Sequence, residues 1–203
     1  MSTFRKIYRE GYAVSPRSET EIRNIAEQIR KLVHDVDIKF FDVIRFLEFK
    51  MPDLFENFRY EIVTDDEIPD REAEMNPREF CIRIRESVYN KALNGDGHYR
   101  LTIAHELGHF FLHRTQTLAF GRPAKNGSIP AYRHSEWQAD IFARNLLAPW
   151  SMAKNMKTAE IEAVFGVSNE VARIISGEAQ TKKAPLLPNA DISPMLPGLE
   201  EFF

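Results

Sequence analysis

The chain opens with two stretches in which apolar and polar residues follow helical spacing. In residues 18–34 apolar side chains recur every three or four positions, and Ser18 with the acidic residues after it is typical of a helix start. Residues 40–49 carry a second apolar run, which Pro52 should end. We therefore predict a helical segment over residues 1–52 that packs on the core.

After Pro52 the pattern changes to short apolar runs. Residues 58–64 and 80–85 are predicted to be strands, and the second alternates apolar with mostly charged positions. The segment between them, residues 65–77, is acidic and rich in turn formers. It is expected to be a surface connection, such as a hairpin loop.

Helical periodicity returns beyond the strands. The predicted helices span residues 86–93, 98–114, 134–147, 158–165 and 168–176. From residue 178 onward the chain is rich in proline, so an extended or disordered tail is expected over residues 178–203. Together these elements predict an α+β fold whose main domain, a short sheet packed on helices, spans residues 53–177.

Composition narrows the functional classes. With 203 residues, 43% of them hydrophobic, the chain is long enough for one sizeable core. A net charge of -3 gives no excess of cations for binding nucleic acid. The single cysteine, Cys81, excludes an internal disulfide framework and a multi-cysteine zinc site, and it suits the cytoplasm. The first 24 residues lack an apolar run, so no signal peptide or membrane anchor is expected.

The most informative stretch is His105-Glu106-Leu107-Gly108-His109, which fits the pattern HExxH in a predicted helix. Residues four apart lie on the same helix face, so His105 and His109 can bind one zinc ion together. Glu106 lies one position round the helix. From there it can take a proton from the water that zinc activates, which is general-base catalysis.

The same spacing can arise by chance on an amphipathic helix. Here the flanking residues are apolar nearly all round, from Ile103 to Leu112. Burying unpaired ionisable groups among them would cost several kcal/mol. A bound Zn²⁺ is therefore the favoured partner for these polar side chains.

A catalytic zinc site needs a third protein ligand. His113 lies a further turn along the helix, about 6 Å away, which is too far to share the ion and leaves it a surface or supporting role. Glu136 is the better candidate. Asp140, four residues on, faces the same way and can accept the free ring N–H of a ligand histidine. The alternative is that both carboxylates form an ordinary solvated helix face.

Weaker sequence signals point to residues that could contact the substrate or stabilise the transition state. Tyr132, Arg133 and His134 precede Glu136 and are candidates for the donor that stabilises the oxyanion, although each can equally be an ordinary loop residue. The strand over residues 80–85 is expected at a sheet edge, where an extended substrate would pair with it. There Arg83 and Arg85 would either attract acidic side chains or protect the edge.

A second class of function remains open. Residues 161–176 are similar to a helix-turn-helix, which would make the chain a DNA-binding or partner-binding regulator with a structural or inactive zinc site. The supposed reading helix offers Asn169, Glu170 and Arg173, which are poor in basic groups. Loss of function in Glu106→Gln with zinc retained separates the enzyme from both regulators.

The chain resembles the ImmA/IrrE-type metallopeptidases over residues 80–177. The resemblance is carried by residues 99–109, which contain the histidine pair, by residues 136–149, and by residues 163–168. It implies a small zincin-like fold with two histidines and a glutamate as zinc ligands. It also implies regulatory proteolysis of a protein substrate, typically a helix-turn-helix transcriptional repressor encoded nearby.

The chain departs from that family at two positions. The family often has Asn at the position of Asp140 and Met at the position of Ala148. Neither change should abolish metal binding. Residues 1–79 and the tail match nothing in the family, so they are the expected place for substrate choice.

Overall fold

The computed structural model describes residues 11–32, 39–115 and 129–181. It confirms the predicted α+β class, with helices and one small sheet in the described ranges. The helices are α1 Glu19–Lys31, α2 Val43–Arg45, α3 Met51–Leu54, α4 Glu86–Leu93, α5 Gly97–His113, α6 Ser135–Leu147, α7 Trp150–Ala153, α8 Thr158–Phe165 and α9 Asn169–Thr181. The strands are β1 Arg59–Val63, β2 Ala73–Asn76 and β3 Cys81–Arg85.

Helix α1 forms where the apolar periodicity predicts it. Ser18 and Glu21 make a reciprocal capping box at its start, which satisfies backbone N–H groups that have no helical partner. Its apolar face is buried, and α1 packs mainly against α6. Arg30 extends this contact by donating hydrogen bonds to the carbonyls of Leu146 and Lys39.

The second helical stretch extends further than predicted. A π-helical turn, Phe46–Lys50, follows α2 and leads directly into α3. The expectation that Pro52 ends the helix is therefore wrong. Pro52 lies in the first turn of α3, directly after the π-helical turn, and the helix continues past it to Leu54.

The sheet has the order β1-β3-β2, which corrects two predictions. β3 is the central strand, parallel to β1 and antiparallel to β2, so residues 80–85 do not form an edge. The connection over residues 65–77 is not a hairpin loop, because it contains β2. The strand β3 begins at Cys81 because Phe80 has a φ of 50°, in the left-handed region that extended backbone does not use.

Helices α5 and α6 form the centre of the molecule and pack closely on each other. Gly108 lies at their crossing, where an added Cβ would be 3.1 Å from the Cα and the carbonyl oxygen of Ala139. Such contacts are tighter than ordinary van der Waals distances. Glycine therefore sets how near the backbone of α6 comes to α5.

Replacing Gly108 with alanine should lower the free energy of unfolding by about 1–3 kcal/mol, although alanine is the better helix former. The added methyl must push against the α6 backbone, which cannot rotate away as a side chain can. Chemical denaturation measures the effect. The matched control is Gly177→Ala in α9, where a Cβ meets nothing within 4 Å, and which should be neutral or stabilising. Equal effects at the two glycines would contradict this reading of the crossing.

The described part of the chain ends in the three helices α7, α8 and α9. α8 coincides with its prediction, and Gly166, with a φ of 60°, ends it in a left-handed cap. α9 continues to Thr181, beyond residue 178 where the tail was predicted to begin. Residues 182–203, which contain most of the predicted tail, lie outside the described residues.

Candidate metal centre

The structure brings the three predicted ligands together between α5 and α6. His105 and His109 project from one face of α5, and Glu136 projects toward them from the first turn of α6. His109 is buried, whereas Glu136 keeps 27% of its side-chain surface exposed. The cluster is therefore partly buried, and solvent can still reach it at Glu136.

The distances within the cluster suit one small cation. His105 Nε2 is 3.0 Å from His109 Nε2 and 3.2 Å from Glu136 Oε2, and His109 Nε2 is 3.4 Å from Glu136 Oε1. Ligands about 2.0–2.2 Å from a tetrahedral zinc ion lie roughly 3.3–3.6 Å from each other. Two imidazoles and a carboxylate are also the donor types that zinc prefers. The residues present therefore fit a catalytic zinc site with one open position.

Asp140 lies where a supporting carboxylate was predicted. Its Oδ1 is 2.9 Å from Nδ1 of His105, on the far side of the ring from the cluster. Burial alone would lower the pKa of His105, but its hydrogen bonds with Asp140 and Glu136 outweigh burial and raise the pKa to about 10. Burial works against the ionised form of Glu136, yet its hydrogen bonds with His105 and His109 hold its pKa well below the ordinary value.

These shifts predict that zinc binding releases a proton. Because the pKa of His105 is raised from 6.5 to about 10, the free protein holds a proton on this ring at pH 7, and a ligand imidazole must lose it. Zinc affinity should therefore rise with pH between about 7 and 10 and fall as the solution is acidified. Calorimetric titration in two buffers of different ionisation enthalpy should report about one proton released at pH 7. Heats that are identical in the two buffers would contradict the prediction.

Glu106 is almost fully buried beside the cluster. Burial raises its pKa, and the neighbouring rings of His109 and His105 act in the opposite direction. The backbone N–H of Met75, on β2, donates a hydrogen bond to its carboxylate. Strand β2 therefore holds the predicted general base from the side of the sheet.

His113 does not belong to the ligand cluster. It is 2% exposed, so the surface role that the sequence left open is excluded. Its Nδ1 is 3.1 Å from Nδ1 of His109, and its Nε2 is 3.1 Å from Oε1 of Gln138. Burial in this position lowers the pKa of His113 to about 3.

A strap formed by residues 11–18 crosses the start of α6. Its backbone pairs with residues 132–135 through an antiparallel bridge between Ala13 and His134 and hydrogen bonds on either side. Of the three predicted oxyanion donors, Tyr132 and Arg133 are exposed, while His134 is buried under the strap. An added Cβ on Gly11 would be 2.6 Å from the ring of His134, so the strap lies directly on that ring.

Tyr12, in the strap, is a site residue that sequence reasoning missed. Burial raises its pKa to about 12, with further contributions from the charges of Glu136 and Glu106. Its ring also makes an edge contact with His113. No local signal indicates this placement, because it results from a backbone pairing between distant parts of the chain.

Arg83 and Arg85 engage groups of the chain itself. Arg83 forms ion pairs with Glu61, Glu67 and Glu74, and Arg85 donates to the carbonyl of Ile68. The proposed substrate contact of both arginines rested on an edge strand. Because β3 is central, the edge strand that packs against α5 is β2.

The paired helices α8 and α9 contribute little to a DNA-binding surface. On α9, Asn169, Glu170 and Arg173 are exposed, while Val171, Ala172 and Ile175 pack into the core. The exposed charges of opposite sign give no cationic face.

In the described ranges, no helix combines the length and apolar character needed to cross a membrane.

A comparison with known protein families also finds a match for this chain. Residues 64–174, more than half of the chain, match the family model of the IrrE N-terminal-like domain, Peptidase_M78. The matched range contains all of the candidate metal ligands and β2. Because the match begins at residue 64, the expectation that residues 1–79 match nothing in the family is wrong for residues 64–79. No curated protein matches the chain.

Proposed function

Because the chain belongs to the IrrE N-terminal-like family of M78 peptidases, we propose that it is a zinc-dependent endopeptidase. The observation that carries the proposal is the convergence of two imidazoles and one carboxylate within 4.8 Å of one another. In the proposed site His105, His109 and Glu136 hold the ion. Zinc, when bound, acts as a Lewis acid that makes water a nucleophile near neutral pH and polarises the peptide carbonyl.

Glu106 is the proposed general base. Burial raises its pKa, which makes this carboxylate a stronger base than an exposed one. It takes a proton from the attacking water and delivers it to the amine of the leaving peptide. The N–H of Met75 and the packing around Glu106 keep the carboxylate in place for both steps.

Tyr12 is our proposed oxyanion donor, in preference to the exposed Tyr132 and Arg133. A pKa of about 12 keeps hydrogen on its phenol at neutral pH, as a donor requires. Tyr12→Phe should lower kcat about 10–1000-fold while zinc affinity stays near that of the wild type. Steady-state cleavage rates and a chelator competition measure the two quantities. The control is Tyr132→Phe, and a larger loss in that variant would contradict the choice of Tyr12.

We place the substrate along β2. This strand is at the edge of the sheet, packs against α5, and directs the N–H of Met75 to the proposed base. An edge strand offers backbone groups that an extended peptide can pair with. The substrate main chain would then run past the metal site beside α5.

The peptidase family supports a protein substrate, and the resemblance described above favours a helix-turn-helix repressor as that protein. Regulation of transcription in the cytoplasm would follow from such cleavage. In the same proposal residues 1–52 are a helical segment on the core, residues 53–177 the peptidase domain, and residues 178–203 a tail. The packing of α1 on α6 supports the first of these assignments.

The test is incubation of the zinc-loaded protein with the helix-turn-helix protein encoded beside it. Intact-mass measurement should show that the partner is cut into two fragments whose masses sum to the parent plus one water. A chelator should prevent the cut, and added zinc should restore it. An unchanged partner mass in the presence of zinc would contradict this substrate assignment.

A further inference from the structure

A buried chain of hydrogen bonds connects the proposed ligand His109 to the backbone of the strap. It runs from His109 to His113 and then to Gln138, whose amide Nε2 lies 2.9 Å from the carbonyl oxygens of Ser15 and Tyr132. His113 and Gln138 are 2% and 0% exposed. With solvent this remote, the hydrogens have to be arranged so that the protein groups satisfy one another.

The arrangement of hydrogens follows from the far end of this chain. Two carbonyl oxygens can only accept, so the NH₂ group of Gln138 must face Ser15 and Tyr132. Its Oε1 then faces His113, and an amide oxygen can only accept as well. His113 therefore carries its hydrogen on Nε2.

The position of the hydrogen on the next ring, His109, follows in the same way. With its hydrogen on Nε2, a neutral His113 presents a bare Nδ1 to Nδ1 of His109 at 3.1 Å. Two ring nitrogens at this distance share one hydrogen, so His109 must supply it from Nδ1. Nε2, which faces His105 and Glu136, is then the ring nitrogen left for the metal. The opposite arrangement would set acceptor against acceptor at Gln138.

We infer that His113 and Gln138 are positioning residues that keep the hydrogen of His109 on Nδ1 and leave Nε2 free to bind the metal. This inference rests on the proposed metal site, in which His109 binds through Nε2. The two ligand histidines are then held differently. His105 is backed by the carboxylate of Asp140, and His109 by a neutral imidazole backed by an amide.

The first test reads the hydrogens directly in the metal-free protein. Long-range ¹H–¹⁵N correlation spectra at pH 7 distinguish protonated from bare ring nitrogens. We expect hydrogen on Nδ1 of His109 and on Nε2 of His113. A bare Nδ1 on His109 would overturn the inference, and this result does not depend on whether zinc binds or peptides are cleaved.

The second test compares two substitutions of similar size. His113→Leu removes the acceptor, whereas His113→Asn can return an acceptor near the position of Nδ1. Zinc affinity, measured by competition with a chromophoric chelator, should fall about 10–100-fold in His113→Leu and by less than about 3-fold in His113→Asn. His98→Ala, at an exposed position of the same helix, is the control and should leave affinity unchanged.

The outcomes separate the inference from the proposed function. Equal losses in His113→Leu and His113→Asn, or no loss in His113→Leu, would overturn the positioning role. A wild-type protein that binds no zinc would overturn the metal site, while the spectra would still decide the position of the hydrogen. Should His113→Leu fail to fold, the wild-type spectra decide alone.

Discussion

Replacing Glu106 with glutamine should lower kcat about 100- to 10,000-fold while the protein still binds one zinc ion. Glutamine has nearly the same shape as glutamate and can still accept the hydrogen bond from Met75, but it cannot accept the proton of the attacking water. Cleavage rates and metal content are measured on the same purified sample. The combination of lost activity and retained zinc is the signature of a general base.

The matched control is Glu160→Gln, on the exposed surface of α8, which should cleave at the wild-type rate. An unchanged rate in Glu106→Gln would remove Glu106 from the chemistry. If His105→Ala then abolished function while Glu106→Gln did not, the site would be a zinc-binding interaction module without hydrolytic activity.

Replacing Glu136 with glutamine should weaken zinc binding by more than the 10- to 100-fold typical of residues behind the ligands. The substitution removes the one anionic ligand, and with it the charge that holds both imidazoles toward the cluster. The dissociation constant is measured by competition with a chelator at fixed pH, since protons compete for His105.

Asp140→Asn is the comparison for this second prediction. Asp140 contacts His105 on the side away from the cluster. Asp140→Asn should therefore lower zinc affinity less than Glu136→Gln does. Thermal unfolding of both metal-free variants checks that each remains folded. Equal zinc affinities in the wild type and Glu136→Gln would show that this carboxylate is not a ligand.

Much of the candidate site could be predicted because its geometry is local. The spacing of His105 and His109 on one helix determines that both rings share a face, whatever the rest of the fold does. Because a catalytic zinc site needs a third protein ligand, Glu136 on the next predicted helix is then the best candidate. The prediction depended on chemistry at short range, and the structure places all three groups within contact of one another.

The strand β2 could not be predicted in the same way. Its sequence, Ala73-Glu74-Met75-Asn76, contains no β-branched or aromatic residue, so its own pattern gives no strand signal. It is extended because it pairs with β3 over its whole length. The wrong placement of β3 at an edge followed from missing this partner.

The strap and Gln138, which lies in the hydrogen-bond chain behind His109, were missed for a related reason. Tyr12 and Ser15 reach the site through backbone pairing with the residues before α6, and backbone hydrogen bonds are nearly independent of side-chain identity. In the sequence, Gln138 is one of several polar residues on a predicted amphipathic helix. Only the packing of α6 against α5 shows that its amide is fully buried beside His113.

A crystal structure of the zinc-loaded protein, with anomalous data collected at the zinc edge, would locate the bound metal. We expect one peak about 2.0–2.2 Å from Nε2 of His105, Nε2 of His109 and a carboxylate oxygen of Glu136. A peak at another place, or a zinc-loaded structure in which Glu136 points away from both imidazoles, would contradict this expectation.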